Sequence, residues 1–174
     1  DLSMMYSMNP YQGCEHGCIY CYARITHNYW GYSAGVDFER KILYKENAPE
    51  ILTSEFEKKS WQGELVVLSG NTDCYQPAEK HLKITRKMLR VFELYNNPVG
   101  IITKNSLVER DIDILAPMAE KKLAQVIITI NSMDESLRRK MEPRTASAAK
   151  KFQTIRKLTD AGIPVMLMIS PIIP

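Results

Sequence analysis

No stretch of the 174 residues approaches the ~20 consecutive apolar positions that a membrane-spanning helix requires. No basic-then-apolar leader with a small-residue cleavage site opens the chain, so a cytoplasmic protein is expected rather than a secreted or membrane protein. Cysteine is scarce, at four residues, and an intracellular chain of this size does not need disulfide staples. Charge of one sign is also lacking: 23 Lys and Arg against 20 Asp and Glu leave a net +3, which by itself implies no nucleic-acid partner. Internal repeats, low-complexity tracts and linker-like segments are absent. What is present is 45% hydrophobic and 25% charged residues, an ordinary globular composition with ample material for one core.

The apolar residues fall into strand-like runs that alternate with helix-like segments. Residues 4–8, 64–69, 99–103, 125–130 and 165–169 read as strands. After the polar loop 71–76, Pro77 suits a first helical turn, and one helix is expected to bury Leu82, Met88, Leu89, Phe92 and Tyr95. Asn105-Ser106 and Ser147 are candidate helix caps, the latter for a helix with Phe152, Ile155 and Leu158 on one face. About five strand–helix units with parallel strands and right-handed crossovers follow from this alternation. A complete eight-unit barrel takes ~250 residues, so a partial (β/α) TIM-like barrel is expected. A doubly wound open sheet is the alternative, although its glycine-rich turn after the first strand is missing. Asp1 is not an initiator methionine, and Pro174 follows directly on an apolar run. Residues 1–174 are therefore expected to be the incomplete core of a longer protein.

In such folds chemistry gathers at the carboxyl ends of the strands. Here those ends carry a cysteine loop, Ser69-Gly70-Asn71-Thr72-Asp73, Thr103-Lys104-Asn105 and Asn131-Ser132. The loop Gly13-Cys14-Glu15-His16-Gly17-Cys18-Ile19-Tyr20-Cys21 places three cysteines within eight residues, and its glycines let the backbone curl so that the sulfurs converge. Three thiolates are one short of a closed tetrahedral site, and on a cubane of four irons they leave one iron open. A structural zinc knuckle completed by His16 or Cys74 is the alternative. His16 reads more simply as a solvated or supporting residue than as a ligand, and Cys74 as a buried thiol. The nine Met residues scatter as core filler.

The spacing C-x-x-x-C-x-x-C, with Tyr20 before the third cysteine, resembles the radical S-adenosylmethionine (radical SAM) superfamily. Asn9-Pro10-Tyr11-Gln12-Gly13-Cys14, Thr72-Asp73, Ile102-Thr103-Lys104, Glu142-Pro143-Arg144-Thr145-Ala146-Ser147 and the stretches 161–164 and 170–174 look like its spore photoproduct lyase, or DNA repair photolyase-like, branch. The resemblance spans essentially the whole chain in order. It implies that Cys14, Cys18 and Cys21 hold a [4Fe-4S] cluster whose open iron chelates S-adenosylmethionine. An electron from a flavodoxin- or ferredoxin-type reductant would then yield a 5′-deoxyadenosyl radical that takes a hydrogen atom from substrate.

The resemblance also implies site residues. Ser69, Gly70, Asn71, Thr72 and Asp73 stand where many members read Gly-Gly-Glu, a departure that still offers acceptors for the cofactor ammonium. Lys104 would pair with its carboxylate. Thr129 and Asn131 would reach the ribose hydroxyls, Tyr20 and Tyr22 would pack near adenine, and Arg144 would meet a substrate or cofactor carboxylate. The hydrogen-donor cysteine of the photoproduct lyase aligns with Gly70, which leaves Cys74 as the catalytic candidate and makes the substrate unknown, with nucleic acid admitted. The helix-borne Lys80, Lys83, Arg86, Lys87 and Arg90 read as a solvated face.

Overall fold

A computed structural model describes residues 6–172. Five strands form one parallel sheet in chain order: β1 (Tyr6–Met8), β4 (Val66–Leu68), β5 (Val99–Thr103), β6 (Ala124–Thr129) and β7 (Val165–Met168). The remaining strands, β2 (Tyr11–Gln12) and β3 (Leu43–Tyr44), pair antiparallel beside the cysteine loop. A doubly wound sheet reverses its strand order at a switch point, whereas this one runs sequentially, as barrel strands do. The first expected strand begins at Tyr6; its Met4 and Met5 lie outside the described residues, as do Ile173 and Pro174 of the last motif.

Helices fill the crossovers: a 3-10 helix (Tyr22–Trp30), α1 (Val36–Arg40) and α2 (Ala48–Phe56) after β1, then α3 (Glu79–Leu82) and α4 (Ile84–Leu94) after β4. A second 3-10 helix (Ser106–Asp111) and α5 (Ile112–Glu120) follow β5, and α6 (Glu135–Met141) and α7 (Ala148–Asp160) follow β6. β4 is buried along its whole length and β5 and β6 nearly so, which is why their sequences are continuous apolar runs. Met88, Leu89 and Phe92 of α4 are fully buried, each burial contributing about 1.5–3 kcal/mol over exposure.

Two expectations are corrected here. The single helix after Pro77 is two, because Lys83 takes a left-handed conformation with φ 54°. The break is stabilised by buried Glu79, whose carboxylate accepts from the backbone N–H of Thr85 (2.9 Å) and Arg86 (3.2 Å) and so caps the new helix start. In α7, Ser147 caps as expected, through Lys150 N–H at 3.2 Å, but Phe152 is exposed and Lys151 is buried. The helix turns polar residues inward because they find partners there: Lys151 meets Glu142, and the Thr154 hydroxyl donates to Glu109 at 2.6 Å. The basic face expected on α3–α4 is partly neutralised, since Arg86 pairs with Asp111 (2.6 Å) and Asp113 (2.7 Å), and Arg90 with Asp113 (2.9 Å).

Candidate active site

The loop that carries the three cysteines is bent at two glycines. Gly13 (φ 80°) lies so close to the Phe38 carbonyl that a Cβ there would sit 2.9 Å from it, and a Cβ on Gly17 (φ 67°) would fall on the Arg144 guanidinium. Gly17→Ala is therefore expected to displace Arg144 and lower cluster uptake on reconstitution severalfold, checked by iron content beside Gly31→Ala, where a Cβ would meet nothing within 4 Å.

Partners from every neighbouring element hold the loop in shape. Gln76, fully buried, donates to the Gly13 carbonyl (3.1 Å) and accepts from Glu15 N–H (2.9 Å). Cys14 N–H donates to Phe38 O at 2.8 Å, and Ile19 N–H to Met141 O at 3.0 Å. His16 is buried rather than solvated, its Nδ1 lying 3.3 Å from Asp73 Oδ2 without hydrogen-bond alignment. Burial opposes the imidazolium, but Asp73 and Cys14 outweigh it and push the His16 pKa up. Asn105 pulls the other way. Its Oδ1 accepts from Leu107 N–H as a helix cap, so its amide N–H₂ faces His16 Nε2 at 3.1 Å and favours the ring with its proton on Nδ1.

Asp73 is the brace of this arrangement. Oδ1 accepts from Thr103 Oγ1 and Tyr75 N–H, both at 2.8 Å, and Oδ2 accepts from Lys104 N–H at 2.7 Å while facing His16. Burial raises its pKa, but His16 and these hydrogen bonds overcome that and hold the carboxyl below the usual range. Three hydrogen bonds and the close approach of His16 make Asp73 an internal anchor of the cavity wall that it helps to line. The Thr72 hydroxyl donates to Tyr11 O at 2.7 Å, which fixes its orientation and leaves its lone pairs open to accept.

A cavity of about 410 Å³ opens at the carboxyl ends of the strands. Cys14, Cys18 and Cys21 line it with Tyr20 and Tyr22, as do Ser69, Gly70, Asn71, Thr72 and Asp73 of the loop after β4, and Lys104, Thr129, Met168 at the end of β7 and Ser170 add to the lining. Tyr22 is largely exposed and reaches the Gly70 carbonyl through its hydroxyl. Ser69 takes a left-handed φ of 80° while its hydroxyl accepts from Cys74 N–H at 2.7 Å. Twelve expected residues therefore share one cavity: the three cysteines, Tyr20, Tyr22, the five of the loop 69–73, Lys104 and Thr129, with His16 beside them as supporting neighbour.

Three expected residues do not line it. Asn131 donates to Tyr20 Oη (2.7 Å) and Glu142 Oε1 (3.1 Å), so its amide is spent inside the wall. Arg144 turns away to the Glu15 carbonyl and the Glu39 carboxylate, because Glu39 supplies the anion it needs. Cys74, the catalytic candidate, is fully buried in the core, where burial and the nearby Asp73 carboxylate push its thiol well up. Glu142 went unassigned from the sequence, yet it organises the wall. Its Oε1 accepts from Tyr20 Oη and lies 3.3 Å from Lys104 Nζ, and its Oε2 lies 3.3 Å from buried Lys151 Nζ. Its place within Glu-Pro-Arg-Thr-Ala-Ser was the available signal.

All four thiols are free. Burial, then the Glu142 carboxylate and Cys14, push Cys18 up to about 12, and burial also raises Cys21. Cys18 and Cys21, held as thiols in this way, suit a group that brings concentrated positive charge.

With this fold and loop in view, the chain belongs to the radical SAM superfamily, whose family model matches residues 8–174. An uncharacterized protein of Mycobacterium tuberculosis is 32% identical over 173 residues, covering 99% of this chain and 51% of the relative. One from Methanocaldococcus jannaschii is 31% identical over 169 residues, covering 97% and 61%. This chain spans about half the length of the mycobacterial relative. Among solved structures, spore photoproduct lyase complexed with dinucleoside spore photoproduct superposes with TM-score 0.70 at 18% identity, over 99% of this chain and 47% of that one. A variant of that lyase with bound AdoMet and the dinucleoside gives 0.68 at 18% identity, over 98% and 47%. At such identity the likeness is one of fold. No helix among the described residues is long and apolar enough to cross a membrane.

Proposed function

We propose that this chain is the cluster-bearing core of a radical SAM enzyme, with Cys14, Cys18 and Cys21 holding a [4Fe-4S] cluster and the adjoining cavity receiving S-adenosylmethionine. The observation that carries this reading is the placement of three free thiols at one cavity at the carboxyl ends of parallel strands. When bound, the pair supplies one-electron cleavage of the sulfonium to methionine and a 5′-deoxyadenosyl radical that abstracts hydrogen from substrate.

The protein's part is to bind, orient and keep water out. Lys104 presents an ammonium at the cavity wall for the cofactor carboxylate. Asn71, exposed at the rim, and the Thr72 hydroxyl, whose lone pairs stay open while it donates to Tyr11 O, offer acceptors to the ammonium. Thr129 offers its hydroxyl to the ribose, and Tyr22 bridges to Gly70 at the mouth. In a longer chain such as the mycobacterial relative, of which this core covers 51%, the remaining residues would add to the lining, and a flavodoxin- or ferredoxin-type donor in the cytoplasm would supply the electron. Nucleic acid is the substrate class to test first, because the solved lyases hold a dinucleoside. The resemblance sets Gly70 at the lyase's hydrogen-donor position, and Cys74 is buried, so this reading includes no thiol from this loop that returns hydrogen, unlike thymine-photoproduct repair.

The test is anaerobic reconstitution with iron and sulfide, followed by assay for 5′-deoxyadenosine under a strong reductant. One zinc per chain without sulfide would sink the reading. Lys104→Ala should leave the cluster spectrum intact and weaken S-adenosylmethionine binding by about tenfold to a hundredfold, as expected for losing a hydrogen bond to a charged group. An unchanged dissociation constant would place the cofactor elsewhere.

A further inference from the structure

The segment Met141-Glu142-Pro143-Arg144 lies in the connection between α6 and α7, far in sequence from the cysteine loop, yet it touches that loop at four successive places. Arg144 donates through Nε to the Glu15 carbonyl, and its backbone N–H donates to His16 O at 3.3 Å. Ile19 N–H donates to Met141 O at 3.0 Å, and Tyr20 Oη donates to Glu142. The outer side of the loop is closed by Glu39, whose carboxylate meets Arg144 and also Arg24 at 2.5 Å, while Arg24 Nε donates to the Cys18 carbonyl at 3.0 Å. The inner side is closed by Glu142, which is itself held between Lys104 and Lys151. Gly17 leaves the space that the Arg144 guanidinium occupies.

We infer that residues 141–144 form a clamp on the cysteine loop, with Glu142 and Arg144 as positioning residues that hold Cys14, Cys18 and Cys21 in their cluster-binding arrangement. The inference deepens the radical SAM reading and rests on it for the identity of the bound group. The physical reason is entropic. A loop bent at Gly13 and Gly17 has many conformations open to it, and tying its carbonyls and Tyr20 from both sides keeps all three cysteines at one cavity. Partners that orient metal ligands without touching the metal typically change metal affinity about 10–100-fold.

The experiment compares wild type with Arg144→Ala and with the double variant Glu142→Gln/Lys151→Met. The second substitution of the pair removes the ammonium that Glu142→Gln alone would leave buried without an anion. Iron release from the reconstituted protein to a ferrous-ion chelator is timed, and thermal unfolding and amide hydrogen exchange are recorded on the cluster-free protein. Both variants should release iron about tenfold faster or more. The amides of residues 16–21 should lose protection, while those of β4–β6 keep theirs. Release within twofold of wild type in both variants, with loop protection unchanged, overturns the clamp. If the double variant does not fold, Arg144→Ala decides, because that side chain is half-exposed and its loss leaves no buried charge. Failure of the wild type to take up any cluster overturns the radical SAM reading instead, and exchange on the cluster-free protein still decides the clamp.

Discussion

Replacing any one of Cys14, Cys18 or Cys21 with Ala is expected to abolish nearly all the charge-transfer absorbance and bound iron of the reconstituted protein, whereas Cys74→Ala leaves both in place. The three line the same cavity, and Cys74 is sealed in the core beneath Ser69. The size of the effect follows from comparison. Losing a partner that merely orients a ligand costs about 10–100-fold in metal affinity, so losing the ligand itself costs more. Electronic absorption and iron analysis of the four variants make the check. Loss of the cluster on Cys74→Ala alone, with retention in the other three, would remove the basis for an open iron.

Asp73→Ala is expected to lower stability by about 3–5 kcal/mol, the range for breaking a buried pair by removing one partner. At this chain length that corresponds to roughly 6–20 °C in melting temperature. The carboxylate accepts from Thr103, Tyr75 and Lys104 and faces His16, so one deletion strips partners from β5, the loop after β4 and the cysteine loop together. The pH dependence has a definite sign. The folded-state pKa of Asp73 is depressed, so its contribution is complete above the ordinary Asp value of ~3.9 and is lost as pH falls through the lower folded value. Glu142, Glu109 and Asp113 are depressed as well, by Lys104 and Lys151, by Lys157, Thr154 and Lys150, and by Arg86 respectively, so acid destabilisation should persist in the variant with a reduced slope. Calorimetry from pH 3 to 8 tests both points. A variant that melts with the wild type at neutral pH, or that keeps its full acid slope, would show that Asp73 is not the brace described here.

What could be read along the chain and what could not divide by the range of the interaction involved. The strands at 64–69, 99–103 and 125–130 were legible because strands buried on both faces need continuous apolar runs, and the caps at Asn105 and Ser147 because capping is satisfied within three residues. The break at Lys83 was not legible, since its cause is the Glu79 side chain turned onto the start of α4, with no glycine or proline to mark it. The inward turn of Lys151 in place of Phe152 depends on Glu142, nine residues earlier and on another element.

By itself the sequence determined the alternation of parallel strands and helices, the cysteine loop, and the set of strand-end residues from which a cavity is made. Local physics suffices for these: apolar periodicity, glycine conformations and cysteine spacing act over a few residues. Only the tertiary structure decided which of those residues face the cavity and which are consumed in holding it. Asp73 accepts from Thr103, Tyr75 and Lys104 and faces His16, Arg144 turns to Glu39, and Glu142 gathers Tyr20, Lys104 and Lys151. Each choice follows from the high cost of leaving a buried charge or polar atom without a partner, and partners brought together from distant segments exist only once the chain has folded.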